Sequence, residues 1–169
     1  MADRGSDASL PGPLWGRKGT HSTVMSDLSS DQRPLVPDDR LQQAYAAAEY
    51  CCSGHVLRVG HLHPEFDVWL NERAYEHYAY LTAHNPRSHL LSPAANAARH
   101  EQLERMLRLM KLPFAPAEGR DPSGEWAAEP GVLLFDVPAA QVHELGRIFE
   151  QNAVVEGKIG GVPLLVWIG

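Results

Sequence analysis

Thr82, His84, Asn85, Arg87 and Ser88 crowd one short polar stretch, and a helix start carrying Asn96 and Arg99 follows at once. Turns held between a strand and a helix are where α/β folds place ligands, because a helix N-terminus presents unpaired N–H groups. Arg99, aided by Arg87, has the fork geometry that grips a carboxylate or phosphate, while Asn85 and Asn96 can fix a ligand's orientation. Thr82 and Ser88 add hydroxyls. Singly, Asn85, Ser88 and Ser92 are residues that cap and turn backbone. As a cluster they read as an anion site.

A second group is Glu118, Asp121, Glu125 and Glu129, with Trp126 among them. A carboxylate against an aromatic wall can be held protonated near neutral pH and serve as a general acid or base. Most loop carboxylates are merely solvated, so the two that flank the segment, Glu118 and Glu129, are the catalytic candidates. Gln151 and Asn152 form a third group where a helix gives way to a strand. Asn152 suits a left-handed helix terminator. Gln151 has no such backbone role, and its amide can read a ligand's donors and acceptors.

Other chemistries find little support. The chain has nine histidines, and His61 and His63 would point the same way on an extended segment, yet no H-E-x-x-H or C-x-x-C frame accompanies them, so no metal site is expected. G-x-S-x-G is missing, and Gly157 to Gly161 lacks both phosphate-loop and dinucleotide spacing, so it reads as a hairpin turn. No motif indicates a cofactor.

The elements that must position these groups follow from periodicity and caps. Residues 1–38 are rich in Gly, Ser, Asp and Pro without apolar period and read as a disordered tail, with Met25 as an alternative start. A single globular domain spans 39–169. Asp38 or Asp39 caps a helix with Leu41, Ala44, Tyr45 and Ala48 on one face. Tyr50 to Val59 is a hairpin about Ser53-Gly54. Pro64 opens a second helix through Phe66, Trp69 and Leu70. His77 to Ala83 is a strand that delivers the polar turn. Ser92 and Pro93 start a long helix whose apolar stripe is Ala95, Ala98, Leu103, Met106, Leu107 and Met110. With Pro116, Gly119, Pro122 and Gly124, the segment from Phe114 to Glu129 reads as one long irregular loop. Val132 to Val137 is a strand, Pro138 begins a helix through Phe149, and Ala153 to Ile168 is a C-terminal β-hairpin. The fold class is α/β or α+β, a mixed sheet of about five to six strands covered by helices.

A charge of −6 speaks against a nucleic-acid partner. Adjacent Cys51 and Cys52 point to opposite sides of an extended chain and make a disulfide framework unlikely, which suits a reducing cytoplasm. No run approaches the roughly 18 apolar residues of a membrane span.

Several segments share a look: T-A-H-N-P-R-S at 82–88, S-P-A-A-N-A-A-R at 92–99, A-E-G-R-D-P-S-G-E-W at 117–126, E-P at 129–130 and F-E-Q-N-A at 149–153. Together, over roughly residues 40–168, they resemble a bacterial family known as domain of unknown function 3293. The resemblance brings no activity. It matches Thr82, Asn85, Ser88, Asn96, Gln151 and Asn152, and departs where His84 replaces an aromatic residue, Gly131 a serine and Glu150 a glycine. The function expected is binding of a small anionic or nucleotide-like ligand in a polar pocket, with or without turnover. The alternative is an interaction module that docks a protein through the apolar hairpin strand from Leu164 to Ile168.

Overall fold

The structure, a computed structural model, describes residues 38–169. The expected tail, apart from Asp38, lies outside the described residues, as does Met25. The elements are α1 (Asp39–Ala47), β1 (Glu49–Cys52), β2 (His55–Arg58), α2 (Pro64–Glu72), β3 (His77–Thr82), α3 (Pro93–Leu109), β4 (Phe114–Arg120), β5 (Glu129–Phe135), α4 (Ala139–Ile148), β6 (Ala153–Lys158) and β7 (Leu164–Trp167). A single turn of 3₁₀ helix occupies Pro86–Ser88.

Local chemistry accounts for most boundaries. The Asp38 side chain accepts from the Arg40 N–H and the Ser92 hydroxyl from the Ala95 N–H, so both carry the helix caps expected of them. Ser53 and Gly54, at φ of 49° and 81°, close the β1–β2 hairpin with the left-handed pair that a two-residue turn requires. The α4 terminus differs from expectation. Glu150, not Asn152, takes the left-handed conformation, at φ 55°. Its N–H donates to Arg147 O and that of Gln151 to Gly146 O, the paired bonds of a Schellman cap. Such a cap asks for glycine at position 150.

The strands form one sheet in the order β2-β1-β4-β5-β3-β6-β7. Every neighbouring pair is antiparallel, so the sheet is not mixed, and it has seven strands where fewer were expected. The fold is α+β. β3 pairs with β5 on one side and β6 on the other. The β3–α3–β4 and β5–α4–β6 units therefore each skip a strand, the split β-α-β connectivity of ferredoxin-like folds. The extra strand is β4, inside the segment expected to be irregular. Its Pro116 lies just past the last β1 pairing, Cys52↔Ala117, so the chain there has a neighbour on one side only and can spare an N–H. The true loop is short. Asp121 staples it by accepting from the N–H groups of Ser123, Glu125 and Trp126 and from the Ser123 hydroxyl. Desolvation pushes the Asp121 carboxyl up, but those four bonds prevail and hold it below its ordinary range.

Strand alternation sorts the core onto two faces. On one, Leu81, Val132, Leu134 and Val154 pack under Leu103 and Leu107 of α3 and Val142 and Leu145 of α4. On the other, Tyr50, Tyr78, Tyr80, Leu133, Phe135 and Val155 meet Phe66 and Leu70 of α2. Along α3, Leu103 and Leu107 are buried and Met106 packs against the core as expected, while Ala98 and Met110 are exposed and Asn96 takes an inward position near the helix start. The sheet curls around the α2 side: Gly60 N–H, just after β2, donates to Pro163 O, just before β7. The helix α1, none of whose residues is buried, lies over the remaining opening, where its Leu41, Ala44 and Tyr45 face a cavity.

Candidate functional site

The turn after β3 is wound tightly. Asn85, Arg87 and Ser88 all have positive φ, at 46°, 52° and 60°, a conformation that costs non-glycine residues free energy. Hydrogen bonds hold it. Asn85 N–H donates to Asn96 Oδ1 at 2.9 Å, Asn96 Nδ2 donates back to Asn85 Oδ1 at 2.8 Å, and Leu91 N–H donates to the same oxygen at 3.1 Å. Because two N–H groups fix that oxygen, the Asn85 amide nitrogen is aimed the other way, onto Glu129 Oε1 at 2.6 Å. Arg87 N–H donates to Glu150 O at 2.7 Å, which moors the turn to the α4 cap.

The cavity beneath α1 has a volume of about 60 Å³. Its walls include Tyr45 and Leu41 from α1, Tyr50 from β1, Tyr80 and Thr82 from β3, Trp126, Glu129 and Gln151. Tyr80 lies across two glycines. A Cβ at Gly131 would stand 2.7 Å from its hydroxyl oxygen and one at Gly119 3.0 Å from it, so these positions make room for the ring. Tyr50 and Tyr80 pack with ring centroids 4.8 Å apart.

Among the described residues, Glu129 is the one carboxylate in this lining. Burial pushes its carboxyl above the ordinary range, opposed by the Asn85 hydrogen bond. Burial also pushes the Tyr50 and Tyr80 hydroxyls up, so both stay protonated and act as donors. His84 is held below its ordinary value by burial, then by neighbouring His100 and Arg99, which favours the neutral ring.

Of the residues singled out from sequence, Thr82, His84, Asn85, Ser88, Trp126, Glu129 and Gln151 meet in this cavity. Asn96, Arg99, Asn152 and Glu118 are outside its lining. Asn96 is buried in its exchange with Asn85 and positions the turn. Arg99 spends its fork on backbone, donating from Nε to Ala83 O at 2.7 Å and from a terminal nitrogen to Phe149 O at 2.6 Å, so it clamps β3 to the end of α4 and leaves the cavity without an anion grip. Asn152 supports the wall through Nδ2, which donates to Ser88 Oγ at 2.9 Å. Glu118 alternates with Ala117 and Gly119, which face the cavity side, so it lies on the opposite face of the sheet from Glu129 and cannot form a catalytic pair with it.

Tyr45, Tyr50 and Tyr80 were missed as lining residues. Tyr78 and Tyr80, two apart on a strand, signal a shared face, but nothing local shows that this face opens under α1. Among the described residues, no cluster of three or more His, Cys, Asp or Glu side chains is placed to hold a metal ion. None of the described helices is long and apolar enough to cross a membrane.

The connectivity and the site define an α+β domain with a split β-α-β core and a small, aromatic, carboxylate-bearing cavity at one end of its sheet. Residues 81–154 match the model of the family described as protein of unknown function (DUF3293), the family that the sequence motifs resemble. The match contains all the motifs on which the resemblance rested and runs from β3 into β6. It leaves out α1, the β1–β2 hairpin, α2 and β7. No curated protein and no solved structure matches the chain.

Proposed function

We propose that this domain binds a small molecule in the cavity under α1 and recognises it through Glu129. The observation that carries the reading is a half-buried carboxylate with one oxygen tied to Asn85, set among three tyrosines and a tryptophan beneath a helix, α1, that buries no residue. Pre-formed sites combine such apolar walls with a few fixed polar groups. The small anion or nucleotide expected from sequence suits this geometry poorly. Arg99 is engaged, no Lys or Arg among the described residues is in the lining, and about 60 Å³ holds a few waters or a head group of a few heavy atoms.

A thermal-shift screen of the full chain against small amines, alcohols, carboxylates and nucleotides tests this, since a ligand that binds only the folded state raises its melting point. We expect a hit that disappears in Ala44→Phe, which fills the cavity from α1. Absence of any hit, or a hit indifferent to Ala44→Phe, would sink the reading.

The second reading, docking of a partner through the C-terminal hairpin, draws on β7. Among the described residues this strand pairs only with β6, and its Leu164 is 57% exposed. A mass that rises with concentration in light scattering, and falls back in Leu164→Lys, would favour it.

A further inference from the structure

The hydrogen-bond inventory of the cavity narrows the ligand, given the site proposed above. Most of the side-chain donors are spent on protein. Tyr50 donates to Tyr45 O, Tyr80 to Glu129 O and Thr82 to Pro130 O. Gln151 Nε2 faces two carbonyls, His84 O at 3.0 Å and Phe149 O at 3.1 Å, which fixes the amide's orientation and turns its Oε1 away from them. Acceptors are left over. Asn85 occupies one oxygen of Glu129, and among the described residues neither the other oxygen nor Gln151 Oε1 receives a protein donor. The cavity thus offers unpaired acceptors at Glu129 and Gln151 and, among the described residues, no Lys or Arg, while the Trp126 indole and the His84 ring remain as donors. It is walled by rings whose faces attract cations.

We infer that the ligand is an organic cation, an alkylammonium whose N–H groups satisfy Glu129 and whose charge lies against the rings of Tyr50, Tyr80 and Trp126. Size sets the rest of its shape. The inner cavity accepts only a head group, but Ala44 and Trp126 also line a wider open groove between α1 and the 121–126 turn, so an alkyl chain can lead out past them. Arg40 lines that groove together with Asp121 and Glu125, so the groove itself selects no particular charge at the far end of the chain. The favoured ligand is therefore a primary amine on a linear chain, with the ammonium innermost.

Calorimetric titration of the full chain with n-alkylamines from methylamine to hexylamine, each beside the alcohol of equal chain length, tests this inference. We expect the amines to bind at least about tenfold tighter than the alcohols, as a charge-assisted bond to a carboxylate implies. That preference should vanish in Glu129→Gln with alcohol binding retained, and shrink in Trp126→Ala, whose half-buried loop position spares the fold. Equal binding of amines and alcohols, or a preference that survives both substitutions, would overturn the cation assignment. In that case loss of all binding in Ala44→Phe would still leave the cavity as the site. No binding by either series overturns the cation assignment, and only a hit of another class lost in Ala44→Phe would then keep the cavity reading.

Discussion

The two faces of the sheet are covered in different ways, and the difference locates the function. The face under α3 and α4 is packed from end to end with aliphatic side chains, and both helices bury leucines deep against it. The other face is aromatic, and only α2 contributes buried residues to it from a helix; α1 rests over the remainder with none. A domain of this size needs one well-filled core to be stable, and the α3/α4 face supplies it. The second face holds a buried aromatic cluster of its own, and at its α1 end it can also carry a strained turn, a half-buried acid and unfilled space, features that cost stability and are found where ligands bind.

Substitutions on either side sharpen or break this contrast. Leu107→Ala, on the packed face, should cost about 2–5 kcal/mol in urea unfolding. A cost near zero would refute the division of labour. Gly131→Ala drives a Cβ into Tyr80 and Leu81 O, and should cost about 1–3 kcal/mol through overpacking; Tyr80→Phe in that background, which removes the hydroxyl oxygen the Cβ meets, should recover part of it. In the opposite direction, Glu150→Gly relieves the left-handed cap of α4 and should stabilise the protein by about 1 kcal/mol.

Glu129→Gln bears on the acid itself. A carboxyl whose folded pKa lies above its unfolded value holds its proton better when folded. The native state therefore loses stability as pH rises from the unfolded to the folded pKa, and the loss persists at higher pH. Removing the carboxyl should abolish that slope, so Glu129→Gln should gain on the parent between pH 4 and neutrality in melting-temperature measurements. The smallest effect is expected from Leu41→Ala on α1, within about 0.5 kcal/mol of the parent. A larger loss would mean that α1 belongs to the core and is not a cover.

Much of the architecture was legible because it rests on local chemistry. The Ser53-Gly54 turn, the caps of α1 and α3 and Pro64 at the start of α2 each depend on a residue and its near neighbours. β4 was not legible, because its Pro116 and Gly119 contradict strand propensity and are tolerated only through their neighbours: an unpaired side for the proline, the Tyr80 ring for the glycine. In the site, the polar turn and Glu129 could be singled out by type. Their union could not, since Asn85 reaches Glu129 only through the β3–β5 register, in which Thr82 stands opposite Gly131. Arg99 was misread for a related reason: a guanidinium shows its charge in a sequence, but not the carbonyls that will occupy it.

The sequence by itself therefore determined where helices begin, where the hairpins turn and which segment is too polar to be core, because capping bonds and left-handed turns reach only a few residues. The tertiary structure alone decided that Glu129 and Glu118 lie on opposite faces, that Asn96 serves the turn and that three tyrosines wall a cavity under α1. Those outcomes rest on strand register and helix packing, where a shift of one residue moves every side chain to the other face.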